Sequence, residues 1–326
     1  MPLPKIIPSD IKDLVLQYHT QFPDLKVCTL ARKILSKEKT RYSESQLRHL
    51  AAAIIAEGAG QQKDFKIKEP EFILPESLYE EYLPYCLFPS DNKILILNDI
   101  HIPFHDSKAL LTALKYGRDK NVNTIILNGD IIDLYSESKF NRIPRLRNTK
   151  VEIDLTRQFL TMLRERFPKA KIIYKEGNHE FRLKSYLMDK APELYEVPEI
   201  KLDELLKLKQ LRIEWIEDKR LIKAGKLYII HGHEIFSGAG AINVARTIRL
   251  KTSENVIFGH FHKTQNDFQT AISGKLVGGW SVGCLCGLNP LYMPINMWNS
   301  GFALVEIDDK GFFDVENKII LDGVVK

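Results

Sequence analysis

Lys93-Ile94-Leu95-Ile96-Leu97-Asn98-Asp99-Ile100-His101 decides how the rest of this chain is read. An apolar run with strand-forming residues passes without a break into side chains that bind metals. The same join recurs four more times. Thr124–Leu127 leads to Gly129-Asp130-Ile131-Ile132-Asp133, and Lys171–Tyr174 to Gly177-Asn178-His179-Glu180. Leu227–Ile230 leads to His231-Gly232-His233, and Val256–Phe258 to Gly259-His260-Phe261-His262. The chain has nine histidines, of which only His19, His49 and His105 lie outside these blocks. Histidines scattered through a core would not distribute this way, so the blocks read as one site assembled from five loops.

Working outward, the five runs are apolar nearly throughout, as expected of strands covered on both faces. Helical periodicity separates several of them. Asp106 is placed to cap a helix through Leu110, Ala113 and Leu114, and a second helix spans roughly Val151 to Arg166, with Ile153, Leu160, Leu163 and Phe167 facing inward. This alternation predicts an α/β fold, with the five blocks in loops beyond the carboxyl ends of strands, where ligand sites form. After His262 the pattern becomes strands and turns, at Lys275–Val277, Phe302–Ile307 and Phe312–Val315.

In front of Asn92 the texture differs. Residues 1–58 read as a small all-α unit. Ser9 starts a helix carrying Ile11, Leu14, Val15 and Tyr18; Cys28 to Ser36 forms a second; Ser43 with Gln46 makes a capping-box pattern for a third, which Gly58 and Gly60 stop. Between Lys26 and Arg48 lie seven bases (Lys26, Arg32, Lys33, Lys37, Lys39, Arg41, Arg48) against Glu38 and Glu44. A helix-turn-helix module has this look, although the Lys37–Tyr42 connection is long for one; a plain packing or oligomerisation unit is the alternative. Residues 59–91, interrupted by Pro70, Pro75, Pro84 and Pro89, read as a linker whose Tyr79, Tyr82, Tyr85 and Phe88 pack on the domain at 92–326.

Composition sets the outer bounds. The 326 residues, 44% hydrophobic and 27% charged, are globular in character, and the net charge of +5 favours anionic partners only mildly. Cys28, Cys86, Cys284 and Cys286 form no CxxC pair, which reads as free thiols in a reducing compartment. No leader or membrane span is evident, so a cytoplasmic location is expected and the oligomeric state is left open.

The five blocks carry carboxylates, imidazoles and an amide but no thiolate. That donor set suits a pair of divalent ions, with manganese, iron and zinc well matched, and it disfavours a structural zinc site. The ordered blocks D-x-H, G-D-x-x-D, G-N-H-[DE], a lone H and G-H-x-H resemble those of the calcineurin-like metallophosphoesterase superfamily, over about residues 93–265. The resemblance implies an αββα sandwich of two mixed sheets flanked by helices, and a phosphoesterase that uses two divalent ions, with Mn2+ foremost and Fe, Zn, Ni or Mg as alternatives. It implies that Asp99, His101 and His262 hold one ion, that Asn178, His231 and His260 hold the other, and that Asp130 bridges them. Asp133 would orient a ligand histidine through its ring N–H. His179 would touch the phosphate and assist the leaving oxygen, with a metal-held hydroxide as nucleophile. His233 and His105 are extra to the pattern. The second block lacks the Arg and Gly that follow it in protein Ser/Thr phosphatases, which moves that substrate class down.

The loop after the second block is basic: Lys139, Arg142, Arg145, Arg147 and Lys150 against Glu137. With Arg182 just after His179 and with Arg246, Arg249 and Lys251, these cations point to a phosphorylated partner, nucleic acid foremost. Arg142, Arg145 and Arg182 are the expected substrate contacts. The reading is therefore a nuclease or DNA-processing phosphodiesterase; a phosphomonoesterase on a nucleotide or small phosphate, and a non-catalytic metal-bound scaffold, are the alternatives. The whole arrangement loosely resembles phage and prophage phosphoesterases.

Overall fold

The computed structural model describes residues 9–58, 76–79, 81, 83–141, 143–217, 219–235 and 242–326. The chain divides into two compact units, Met1–Tyr79 and Glu80–Lys326. Most of the expected linker, 59–75, lies outside the described residues.

Among the described residues, the first unit holds three helices, α1 (Ser9–Gln21), α2 (Val27–Lys37) and α3 (Glu44–Gly58). They close on their own core of Ile11, Val15, Leu30, Ile34, Leu47 and Ile54, the positions three and four apart in each helix. The capping box forms: Ser43 N–H donates to Gln46 Oε1 at 3.0 Å and Gln46 N–H to Ser43 Oγ at 3.3 Å. Part of the basic surplus is used locally, since Arg32 bonds Glu44 at 2.7 Å and Lys33 lies 3.7 Å from the centre of the Phe22 ring.

The second unit runs β1 (Tyr85–Cys86), β2 (Lys93–Leu97), α4 (Ser107–Asp119), β3 (Thr124–Asn128), α5 (Thr149–Arg166), β4 (Lys171–Lys175), α6 (Phe181–Lys190), α7 (Leu202–Leu205) and β5 (Ile213–Ile216). It continues through β6 (Ile222–Ala224), β7 (Leu227–Ile230), α8 (Val244–Thr252), β8 (Val256–Phe258), β9 (Gln265–Thr270), β10 (Leu276–Ser281), β11 (Gly301–Ile307), β12 (Phe313–Leu321) and β13 (Val324–Val325). Two mixed sheets result, one of seven strands in the order β13-β12-β11-β2-β3-β4-β5, the other of six in the order β1-β6-β7-β8-β10-β9. β2 to β5 are parallel neighbours, as are β7, β8 and β10. The expected αββα sandwich is the observed fold.

The apolar runs explain the layers. Successive strand side chains point to opposite faces. In β2, Ile94 and Ile96 enter the core between the sheets, where they meet Ile222, Leu227, Ile229, Ile257 and Val282. Leu95 and Leu97 point the other way, into a core with Leu110 and Ala113 of α4 and Leu160 and Leu163 of α5. The opposite outer face is covered by α8 through Val244 and Ile248 against Ile230 and Phe258. Asp106 caps α4 by accepting from Lys108 N–H and Ala109 N–H at 2.9 and 3.0 Å.

Two local expectations shift. Tyr85–Cys86 forms an edge strand pairing parallel with β6, because Tyr85 and Leu87 N–H donate to Leu221 and Lys223. β10 runs through Gly278-Gly279 to Ser281, past the expected end at Val277. Glycines disfavour strands locally, but here a Cβ on Gly279 would lie 2.7 Å from the Ala245 carbonyl oxygen, so α8 approaches the strand only where no side chain stands.

Candidate metal centre

β2, β3 and β4 end on one sheet and β7 and β8 on the other, and their five following loops meet at one edge of the sandwich. Each loop must turn at once to aim its side chains inward. Asp99, His101, Asp130, His260 and His262 all take positive φ, between 52° and 67°. Non-glycine residues rarely do so, and they persist there only where surroundings hold them. Gly129 (φ 84°) has no room for a side chain: a Cβ would lie 2.5 Å from His231 Nδ1.

One group forms on Asp99. His262 Nε2 lies 3.2 Å from Asp99 Oδ1 and 3.3 Å from His101 Nε2. The other Asp99 oxygen accepts His260 N–H at 2.8 Å. His101 turns its far nitrogen, Nδ1, to Asp133 Oδ1 at 3.0 Å. Asp133 thus sits behind His101 and lies close enough to fix which ring nitrogen faces the centre.

The second group forms on Asp130. His231 Nε2 lies 3.3 Å from both Asp130 Oδ2 and Asn178 Oδ1. His260 belongs to the same cluster of ligand atoms, all within 4.8 Å of one another. Asp130 Oδ2 is also 3.9 Å from His101 Nε2, so this carboxylate faces both groups.

His179 occupies the rim between them. Its Nδ1 bonds the Asp133 carbonyl at 2.9 Å, and its Nε2 lies 2.7 Å from an Arg182 guanidinium nitrogen. Because guanidinium only donates, Nε2 is an acceptor in this arrangement. Arg182 is anchored by donating to the Asp133 carbonyl at 2.9 Å. Burial opposes charge on His179, but Asp130 and Asp133 outweigh it and raise its pKa.

The donor chemistry shows whether cations fit. His231 Nδ1 faces the Asn128 carbonyl at 2.7 Å and must donate to it. Its Nε2 faces two other acceptors, Asp130 Oδ2 and Asn178 Oδ1, and needs a proton or a metal ion between itself and them. Asp99 Oδ1, fully buried, accepts no hydrogen bond. A shared cation satisfies such convergence. In a metal's place a proton serves: burial would depress the His231 and His262 pKa values, yet Asp130 and Asp99 push both up to about 10. The residues fit a pair of divalent ions.

Several contributors carry no recognisable local signal. Glu180 is 1% exposed and gathers Asp130, Ile131 and Gly177 N–H at 2.8–2.9 Å, plus the Tyr174 hydroxyl at 2.8 Å. It fixes the loop that bears Asp130. Lys175 and Glu234 form a buried ion pair at 2.8 Å, and Glu234 accepts His231 and Gly232 N–H at 2.9 and 2.6 Å. Cys286 Sγ lies 3.9 Å from His262 Nδ1. Trp298 meets the His262 ring edge-on, with centroids 4.1 Å apart.

Other expected residues fall elsewhere. Arg145 is exposed in a short 3-10 turn, Pro144–Leu146, with no described contact to the centre, and Arg142 lies outside the described residues. Arg249 is not available to a substrate, being buried and bonded to Asp267 at 2.5 Å and to Gln269 at 2.6 Å. His233 stands beside His231, ring centroids 5.3 Å apart, and burial lowers its pKa to about 4.

Comparison with known proteins follows the same lines. The calcineurin-like phosphoesterase family matches residues 92–271. The gene 54 protein of Mycobacterium phage L5 is 26% identical over 234 residues, covering 66% of this chain and 89% of the phage protein. Its counterpart in Mycobacterium phage D29 is 24% identical over 231 residues, with the same coverage. Among solved structures, wild-type Vps29 from Entamoeba histolytica, complexed with zinc, is similar at TM-score 0.37 and 16% identity, over 72% of this chain and 96% of its own. The phosphoesterase Yfce from E. coli is similar at TM-score 0.33 and 13% identity, over 69% and 98%. A dimetal phosphatase from Danio rerio is similar at TM-score 0.31 and 11% identity, over 67% and 93%. The matched residues 92–271 take in all five ligand-bearing loops, and the chain belongs to the calcineurin-like phosphoesterase family.

Proposed function

We propose that this protein hydrolyses phosphodiester bonds of nucleic acid with two divalent metal ions, Mn2+ foremost. The observation that carries the reading is the convergence of two acceptor groups on Asp130, beside His179 and Arg182. Asp99, His101 and His262 would hold one ion, Asn178, His231 and His260 the other, with Asp130 between them. When bound, such a pair activates water and withdraws charge from a phosphoryl group held between them.

The chain's own residues do the rest. Asp133 holds His101 and His179 in fixed orientations. Arg182 donates toward the rim, where a phosphate oxygen would compete with His179 Nε2 for its N–H groups. Once Arg182 turns to the phosphate, His179 Nε2 is free to take a proton from solvent and pass it to the departing oxygen. The exposed Lys139, Arg145 and Arg147, on the stretch that follows Asp133, favour a polyanion over a small phosphate.

The test is Mn2+-dependent hydrolysis of a chromogenic diester, a chromogenic monoester, and single- and double-stranded DNA, with His179→Ala and Asp130→Asn as controls. Diester and DNA turnover that collapses in both variants is expected. Monoester turnover without DNA cleavage would overturn the nuclease reading, and metal binding with no turnover of any substrate would favour a scaffold.

A further inference from the structure

An aromatic rim borders the candidate centre, and the ligand groups do not account for it. Tyr292 is T-shaped to Trp298 with centroids 6.3 Å apart, and Trp298 in turn lies against His262. On another side, Phe104 and Tyr135 pair edge-to-face at 5.7 Å. Phe104 N–H donates to the His101 carbonyl, and Tyr135 follows Asp133 by two residues, so both stand at the ends of ligand-bearing loops. The chain segment that leads to Tyr292 is tied to Phe104, since Gly287 N–H donates to the Phe104 carbonyl at 2.9 Å.

The rim meets water through Tyr292 and Phe104, while Trp298 and Tyr135 are half-buried. Tyr292 is 73% exposed, and its loop neighbours Leu291, Ile295 and Met297 are more than half exposed. Partial desolvation and the nearby Asp133 charge push the Tyr292 phenol up to about 12, so it stays neutral. Exposed rings beside a cation and a phosphoryl centre are the chemistry that receives unstacked bases: the rings take a base face and the cation takes the phosphate. In a duplex those faces are hidden between neighbouring base pairs.

We propose that Tyr292 and Trp298, with Phe104 and Tyr135, form a base-stacking subsite that selects unpaired nucleic acid, single strands or frayed ends, over duplex. The proposal rests on the nucleic-acid reading above and names the form of the substrate.

Full-length protein in EDTA, so that nothing is cleaved, is titrated by fluorescence anisotropy against labelled oligothymidylate, oligouridylate and a hairpin duplex of equal length, at one salt concentration. Single strands should bind at least tenfold more tightly than the duplex. Tyr292→Ala should weaken single-strand binding roughly tenfold, within the range for one base–aromatic stack, and Tyr292→Phe should restore it. Binding should also quench Trp298 emission, the quenching being lost in Trp298→Phe. The thymidylate and uridylate arms separate DNA from RNA. Duplex bound as tightly as single strands, no single-strand binding, or Tyr292→Ala binding single strands like the parent protein would each overturn the proposal. The two readings fail separately. Single-strand binding through Tyr292 without hydrolysis of any diester sinks only the hydrolytic reading; hydrolysis with binding indifferent to Tyr292 sinks only this one.

Discussion

His231 and His262 would each hold one of the two proposed ions, His231 beside Asp130 and His262 beside Asp99, but they are held by different chemistry. His231 has a main-chain carbonyl behind it, and its loop is pinned by Glu234, which a fully buried Lys175 neutralises across the sandwich. His262 has a cysteine sulfur behind it and an indole edge beside it, and the Trp298 loop continues into solvent-facing apolar residues. One side is backed by hard oxygen and a buried ion pair, the other by a soft thiol and an open rim. Two ions held by this centre should therefore differ in affinity and in sensitivity to their surroundings.

The largest effect should come where the two sides share a residue. Asp130→Asn should weaken both ions and lower turnover by more than about 100-fold, above the range usual for residues that act behind a ligand; metal titration and steady-state rates check it. Loss of one ion only would break the symmetry of the shared carboxylate. Next, Lys175→Met strands a buried carboxylate. It should cost about 3–5 kcal/mol of stability by denaturant unfolding and loosen the His231-side ion before the His262-side ion. Equal loss of both would show that the pair serves the whole fold rather than one side.

A smaller change is expected on the thiol side. Cys286→Ala should weaken the His262-side ion about tenfold, with Cys286→Ser closer to the parent, and thiol alkylation should mimic the alanine. Metal stoichiometry with unchanged thermal stability would separate this from misfolding. The smallest effect lies under the Asp133 loop. Glu152 is 2% exposed, its Oε1 has no partner, and burial raises its pKa from 4.5 to about 7. Because the folded protein then holds that proton more tightly than the unfolded chain, stability contributed near pH 4.5 is lost as pH rises to about 7. Glu152→Gln should lack this loss, and so gain on the parent by roughly 1–3 kcal/mol between pH 5 and pH 8. An unchanged difference at the two values would place the titration elsewhere.

The sequence made the sandwich and the ligand blocks legible for one reason: their signals are local. An apolar run, a turn and a metal-binding side chain occupy ten residues or so, as at Ile94–His101. The Ser43–Gln46 box and the Asp106 cap are local too, and both were readable. What stayed hidden depends on partners far apart in the chain. Lys175 looks like any cation at a strand end until Glu234 meets it from the other sheet. Glu180 closes the Gly177–Glu180 block in the sequence, but only the fold shows Asp130 and Ile131 N–H of another loop converging on it. Cys284-Leu285-Cys286 has no metal spacing, and only the return of the chain beside His262 gives Cys286 a partner. Arg249 shows the reverse error: a cation read as free for a substrate is consumed by Asp267 on the neighbouring strand.

The division of the centre between two sheets has a consequence for how the protein comes into being. Asp99, His101 and Asp130 leave the ribosome long before His260 and His262, and β11, which pairs beside β2, follows later still. Until His262 emerges, no partly made chain owns a complete set of donors. A chain stopped short of His260 and His262 therefore lacks a donor for each of the two proposed ions.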